Sequence, residues 1–249
     1  MVVPISYSVL EFLSLLLFVN LFEALDMKVI FLREIMLKLT TYIMLGLYKL
    51  YPYRLSINIR RYRDVLYTLW LKTYIGEMGH HSFIAYPCNI QGGGQKHIKI
   101  GNHSSIKRHG VLGCWTRYKQ QTFNPSITIG DFCSIGEYCH ITAINKVAIG
   151  NGLLTGRFIF IGDNSHGGLS LDEAKIPPAQ RLLKTKGEIV IGNNVWIGDK
   201  ASILSGVHIG NNVIIAANSV ITKNVPDNSM VAGCPAKIIK QLHDKNEES

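Results

Sequence analysis

The chain carries nine histidines and five cysteines, the side chains best suited to proton transfer, nucleophilic attack or metal binding. Their spacing excludes much. The cysteine count is odd and no Cys-x-x-Cys occurs, which argues against a metal or disulfide framework and demands no oxidising compartment. His103, His109, His140 and His208 fall within or beside a six-residue repeat, where outward-facing surface residues are ordinary. His166 is placed differently. It lies in Asp163-Asn-Ser-His-Gly-Gly168, at the start of a polar segment, 162–188, that contains Pro177-Pro178 and interrupts the repeat. Long loops inside a compact scaffold are usually functional. A neutral imidazole, with an ordinary pKa of about 6.5, can take a proton from an attacking hydroxyl. Such assistance is worth about 10²–10⁴ in rate.

The elements that must position such a group are written in a period of six. From Ile189 to Pro226 an aliphatic recurs at Ile191, Ile197, Ile203, Ile209, Ile215 and Ile221. Four residues after each comes a small or β-branched residue: Val195, Ala201, Val207, Val213, Ser219, Val225. Neither a helix nor a plain strand repeats at six. A parallel β-helix does, each hexad supplying one short strand and a corner. Each aliphatic then points inward and stacks on its equivalents one coil away, at the ordinary strand spacing of about 4.8 Å. Each buried isoleucine contributes about 1.5–3 kcal/mol. Gly192-Asn-Asn194 and Gly210-Asn-Asn212 suit corners that need positive φ. A second block repeats at Ile129, Ile135, Ile141, Val147, Leu153 and Ile159, with Cys133 and Cys139 as small inward residues. Imperfect hexads at Ile84, Ile90, Ile98–Ile100, Ile106 and Leu112 begin the coil, with a tight corner or small loop at Gly92–Gly94. Residues 113–125 break the register as a loop carrying Trp115, Arg117 and Tyr118, placed either to cover a ligand or as plain surface.

Residues 1–75 differ in kind: rich in Leu, Ile, Tyr and Phe, poor in Gly, with basic residues at Lys28, Arg33, Lys38, Lys49, Arg54, Arg60 and Arg61. The longest charge-free apolar run, Phe12–Phe22, is shorter than the ~20 residues a membrane span needs. No basic leader with a small-residue cleavage site is present. Two or three helices are expected, packing as a cap on the coil or lying on an anionic membrane surface. Met27 and Met36 are alternative starts. The net charge of +9 suits phosphorylated small molecules or an anionic surface. Zinc-finger, RNP and basic-region patterns of nucleic-acid binders are missing. The organisation read from this is a helical segment 1–75, a coil 76–240 with an insertion at 162–188, and a polar tail 241–249.

The Ile189–Pro226 stretch, continuing into Ala-Gly-Cys-Pro-Ala-Lys-Ile-Ile-Lys (232–240), resembles the hexapeptide-repeat acyltransferases, and most their sugar and antibiotic O-acetyltransferase branch. The resemblance covers about residues 98–240 and implies a mainly β chain, a left-handed parallel β-helix; the period alone does not set the hand, which runs against the usual crossover rule. It further implies a homotrimer, acetyl-CoA as donor and a cleft between subunits. A cytoplasmic location is expected, with peripheral membrane contact through residues 1–75 as an option. His166 takes the place of the family's general base, and the acceptor hydroxyl attacks the thioester directly. Asp163 and Glu137 are the candidate carboxylates to orient it. Trp196, Asp163 and Asn164 are expected to line the substrate cleft.

For the CoA moiety the resemblance implies Gly198 and Ala217 along the pantetheine arm, Thr222 and Lys223 near the adenine and phosphates, and Lys237 and Lys240 as added charge. Lysine suits that last role as a point charge on a flexible stem. Asp199 departs from the small polar residue common after the glycine. The expected reaction is O-acetylation of a sugar, for a surface polysaccharide or lipopolysaccharide precursor, with antibiotic acceptors or an amino-sugar N-acetyltransferase as alternatives. A zinc carbonic anhydrase of the same fold needs three converging histidines, and none follows His166 at the required spacing; no metal is expected. A non-enzymatic trimeric scaffold is the remaining alternative.

Overall fold

The computed structural model describes residues 28–168 and 170–242. The run Phe12–Phe22, Met27 as a start and the tail beyond 242 lie outside the described residues. The chain divides at Arg60/Arg61 into two units. In the first, helix α1 spans Lys28–Leu50, and α2, Tyr53–Tyr74, runs across the division. Among the described residues no helix is long and apolar enough to cross a membrane.

In the second unit the chain winds as a left-handed parallel β-helix with three faces. The first face stacks Glu77–Met78, Ile98–Ile100, Ser126–Ile129, Lys146–Ile149, Ile189–Ile191 and His208–Ile209. The second stacks Phe83–Ile84, Ser105–Ile106, Ser134–Ile135, Leu154–Thr155, Trp196–Ile197, Ile214–Ile215 and Ser229–Gly233, and Ala236–Gln241 closes it antiparallel. The third stacks Cys88–Gln91, Gly110–Cys114, His140–Ala143, Phe160–Gly162, Ser202–Leu204 and Val220–Ile221. The hexad aliphatics line the interior in register: Ile191 on Ile209, Ile197 on Ile215, Ile203 on Ile221. All six are buried.

The register of the middle block needs correction. Ile141 is followed on the first face by Ile149, not Val147, because Ile144 and Asn145 form a longer turn. The wall residues of that coil are Ile149, Thr155 and Ile161, aligned with Ile191, Ile197 and Ile203. Val147 instead aligns with Ile127 and Ile189, and Leu153 and Ile159 precede strands that pair through Val195 and Ala201. Both sets of positions point inward, so the slip leaves all of them buried and the six-residue count alone does not reveal it.

The corners explain the Asn residues. Asn194, Asn212 and Asn228 have φ of 55°, 54° and 54° and form a ladder, Asn194 Nδ2 donating to Asn212 Oδ1 (3.2 Å) and Asn212 Nδ2 to Asn228 Oδ1 (2.9 Å). Nearer the N-terminus the same conformation is held by His103 and Phe132, stacked at 5.0 Å, and on the next corner by His109, Tyr138 and Phe158, stacked at 4.6 and 4.7 Å. Stacking contacts offset the steric cost of positive φ in side chains that rarely adopt it.

The C-terminal part of α2 closes the first coil. Leu71 and Ile75 are buried in the common core. Asp64 accepts from Tyr86 N at 3.2 Å and pairs with Arg108 Nη2 at 2.6 Å. Thr68 Oγ1 bonds both Ile84 N and Ile84 O at 3.1 Å, and the Tyr67 hydroxyl donates to Cys88 O. These groups satisfy the edge that the first coil would otherwise leave open.

Candidate active site

Asp163 is the root of the interrupting loop. It ends the third-face strand, is completely buried, and accepts from Ile144 N (2.8 Å), Asn145 N (2.8 Å) and Asn164 Nδ2 (3.1 Å). One carboxylate thus holds two coil turns together, and the longer turn at 144–145 is its counterpart. The loop's return is tied to the same point: Ser205 Oγ donates to Asp163 O (2.8 Å) and accepts from Lys186 N (2.7 Å).

From that root the chain leaves as a hairpin, Ser165–His166 pairing antiparallel with Leu183–Lys184. Its tip is ordered by the short helix α3, Leu171–Ala174, capped by Ser170. Glu173 accepts from Gly168 N (2.7 Å) and pairs with Lys184 Nζ (2.5 Å). The Lys184 bond, then the Gly168 N–H, hold its carboxyl below the usual range. Arg181 donates to Ile176 O (2.8 Å) and Ala174 O (3.2 Å). His166 is exposed on this scaffold.

The loop at 115–125 is a second small hairpin, Arg117–Tyr118 with Gln121–Thr122, and it docks on the first. Gln121 Nε2 donates to Leu183 O (3.0 Å) and Leu183 N donates to Gln121 Oε1 (2.7 Å). The Tyr118 hydroxyl donates to Ala179 O (3.0 Å) and lies 3.4 Å from His166 Nδ1. The two rings meet edge-on, with centroids 5.5 Å apart at 69°. Gln121 and Ser205 were not legible as site residues; the register break around Tyr118 was the one available signal.

The expected carboxylate partners of His166 are corrected. Asp163 is completely buried and its carboxylate accepts from three N–H donors, none of them His166. Glu137 faces Arg157 at 3.7 Å. Asn164 is half-buried, its Nδ2 lying 3.4 Å from Thr142 Oγ1 and 3.1 Å from Asp163 Oδ1. Asp199 accepts from Arg157 N at 2.7 Å; it clamps a corner, which explains its departure from a small residue.

The remaining expected residues are spread around the prism. His166 leaves at the edge between the third and first faces, as do the exposed Thr222 and Lys223 further along the coil. Trp196, 52% exposed, points out from the second face, which in a three-sided prism lies opposite that edge. Gly198 and Ala217 sit at the edge between second and third faces; a Cβ on Gly198 would come within 2.5 Å of Ala217 N. Lys237 and Lys240 are exposed on the closing strand of the second face. One chain therefore does not bring Trp196 and His166 together. Among the described residues no group of three His, Cys, Asp or Glu is placed to hold a metal ion.

Four cysteines are interior groups. Burial pushes Cys88 and Cys114 up to about 12 and Cys139 up to about 11, and raises Cys133. Such thiols are poor nucleophiles. Cys234 is exposed. Burial also lowers His140 from its ordinary value; its ring packs edge-on against Phe160 at 5.5 Å.

Residues 188–223 match the family model described as bacterial transferase hexapeptide (six repeats). The "Putative lipopolysaccharide biosynthesis O-acetyl transferase WbbJ" of Escherichia coli (strain K12) is 37% identical over 125 residues, covering 49% of this chain and 63% of that protein. The galactoside O-acetyltransferase of the same organism is 41% identical over 75 residues, covering 28% and 37%. The chain thus spans less than two thirds of either relative. Among solved structures, AntD, an N-acyltransferase from Bacillus cereus in complex with dTDP and 3-hydroxybutyryl-CoA, superposes with a TM-score of 0.57 at 21% identity, covering 72% of this chain and 90% of AntD. That likeness shows the fold.

Proposed function

We propose that the protein, whose residues 188–223 match the bacterial transferase hexapeptide model, is a CoA-dependent O-acetyltransferase acting on a sugar hydroxyl of a surface polysaccharide or lipopolysaccharide precursor. The observation that carries the reading is His166, held exposed on an extruded, internally braced hairpin at one prism edge. The names of the two relatives support sugar O-acetylation.

In this reading His166 is the general base. It removes the proton as the acceptor oxygen attacks the thioester carbonyl. The C–O bond forms, the tetrahedral intermediate collapses with loss of the C–S bond, and the imidazolium returns its proton to the CoA thiolate. No acyl-enzyme forms. The cleft is completed by a neighbouring copy in a homotrimer, whose second face brings Trp196 opposite His166. The donor's slender arm runs past the edge at Gly198 and Ala217, where the glycine lets successive coils meet closely and no bulky side chain projects. Thr222, through its hydroxyl, and Lys223 meet its adenine and phosphates, with Lys237 and Lys240 as added solvated point charges.

The basic, apolar N-terminal helices support a place at the cytoplasmic face of a membrane. Helix α1 carries Lys28, Arg33, Lys38 and Lys49 against Glu34 and exposes Leu37, Leu39, Tyr42, Ile43 and Leu45.

Thiol release from acetyl-CoA, measured against sugars, nucleotide sugars, amino sugars and antibiotic acceptors, tests the activity. His166→Ala is expected to lower acceptor-dependent release by about 10²–10⁴ with an unchanged circular dichroism spectrum. Release that is independent of His166 removes the base assignment. No release with any acceptor, together with no CoA binding by calorimetry, leaves the scaffold alternative.

A further inference from the structure

A histidine base has two ring nitrogens, and only the unprotonated one can take the substrate's proton. Which one that is depends on what the other nitrogen meets. The Tyr118 hydroxyl is the side-chain group beside His166 Nδ1, at 3.4 Å. That hydroxyl owns a single proton. It is also 3.0 Å from Ala179 O, and a carbonyl oxygen only accepts. The shorter contact claims the proton, which leaves the phenolic oxygen facing Nδ1 with lone pairs.

We infer that Tyr118 is a positioning residue that fixes His166 as the Nδ1–H tautomer, with the Nε2 lone pair free as the base. This rests on the reading of His166 as the base. With Nδ1 unprotonated, lone pair would face lone pair, or the hydroxyl would turn and abandon Ala179 O. With Nδ1 protonated, the chain His166 Nδ1–H to Tyr118 O–H to Ala179 O is continuous, and each group polarises the next. The same chain meets the charge that develops during reaction. Once Nε2 has taken the acceptor's proton, the imidazolium's Nδ1–H donates more strongly to the phenolic oxygen. The 3.4 Å contact is at the long end for a hydrogen bond, as is common around catalytic groups before substrate tightens them.

The surrounding architecture supports this role over chance proximity. Tyr118 is on the hairpin 117–122, which does not continue the coil. That hairpin is anchored by the two Gln121 bonds to Leu183, the residue paired directly across from His166. Ala179 belongs to the short 3₁₀ turn Pro178–Gln180 at the other end of the His166 loop. Tyr118 therefore ties three segments together at the imidazole, and the edge-on contact of the rings sets the imidazole plane. Pro177 and Pro178 at the start of the turn and Arg181 after it, bonded to Ala174 O and Ile176 O, keep Ala179 O in place. In this chain a phenol does the orienting that the sequence assigned to a carboxylate.

The test is nitrogen-15 NMR of the full chain labelled at histidine, with the His166 signals identified by their loss in His166→Gln. The wild type is expected to show a protonated Nδ1 and an unprotonated Nε2 at pH values where the ring is neutral. Tyr118→Phe is expected to mix the two tautomers and to lower kcat about three- to tenfold, the worth of one hydrogen bond, with the KM for acetyl-CoA unchanged. A wild-type ring protonated at Nε2, or a tautomer unmoved by Tyr118→Phe, overturns the proposal. The tautomer readout needs no substrate. Failure of the base reading, seen as full turnover in His166→Ala, is thus a separate result from failure of the tautomer lock.

Discussion

Asp163 and His166 are three residues apart and do opposite things. Asp163 spends its charge on backbone N–H groups inside the protein, whereas His166 is held in the open. Replacing Asp163 by Asn turns one acceptor into a donor facing Ile144 N or Asn145 N, and relaxation is blocked because the site is fully buried. We expect Asp163→Asn to destabilise the coil by about 1–3 kcal/mol, read by urea unfolding, with a loop that becomes easier to cleave by protease. Unchanged stability would mean that the two turns do not depend on the carboxylate. The buried thiols act at the same scale. Because folding raises Cys88 to about 12 from 9.0, the unfolded chain loses that proton first as pH climbs. The contribution is neutral below about pH 9 and turns increasingly destabilising between there and about 12.

At the scale of elements, the two hairpins and the helices decide what the coil can be used for. The coil is a stacked repeat whose stability is spread over neighbours, so segments can leave it at an edge without opening the core. Both the 115–125 and 162–188 segments leave at the same edge, two coils apart, and this is why they can brace each other. Helix α1 has a separate consequence. Basic residues near an anionic bilayer contribute about 1 kcal/mol each, so Arg33→Glu with Lys38→Glu should weaken sedimentation with phosphatidylserine vesicles by more than about tenfold, while vesicles of phosphatidylcholine alone show little binding of either form. A wild-type chain that never sediments with anionic vesicles removes the membrane assignment.

At the scale of the molecule, the opposite placement of His166 and Trp196 makes a definite prediction about assembly. If a cleft uses His166 of one copy and Trp196 of the next, His166→Ala and Trp196→Ala chains are each deficient alone, yet mixed trimers contain intact clefts. Random mixing in equal amounts should restore about a quarter of wild-type turnover. Activity equal to the average of the two parents would place both residues in one chain's site and remove the shared cleft. The sequence by itself determined the coil, because a period of six in aliphatic residues has one good solution: strands stacked so that each hexad buries its neighbour's apolar face. It also marked the two places where the coil is interrupted, and His166 within one of them. It did not reveal the two-residue slip after Ile141, since Val147 and Ile149 are equally apolar and both point inward. Nor did it separate Asp163 from His166, or show that Tyr118, 48 positions earlier, lies beside the imidazole. Those contacts depend on which edge each segment leaves and which coil lies beneath it, and only the tertiary structure sets residues far apart in the chain within hydrogen-bonding distance.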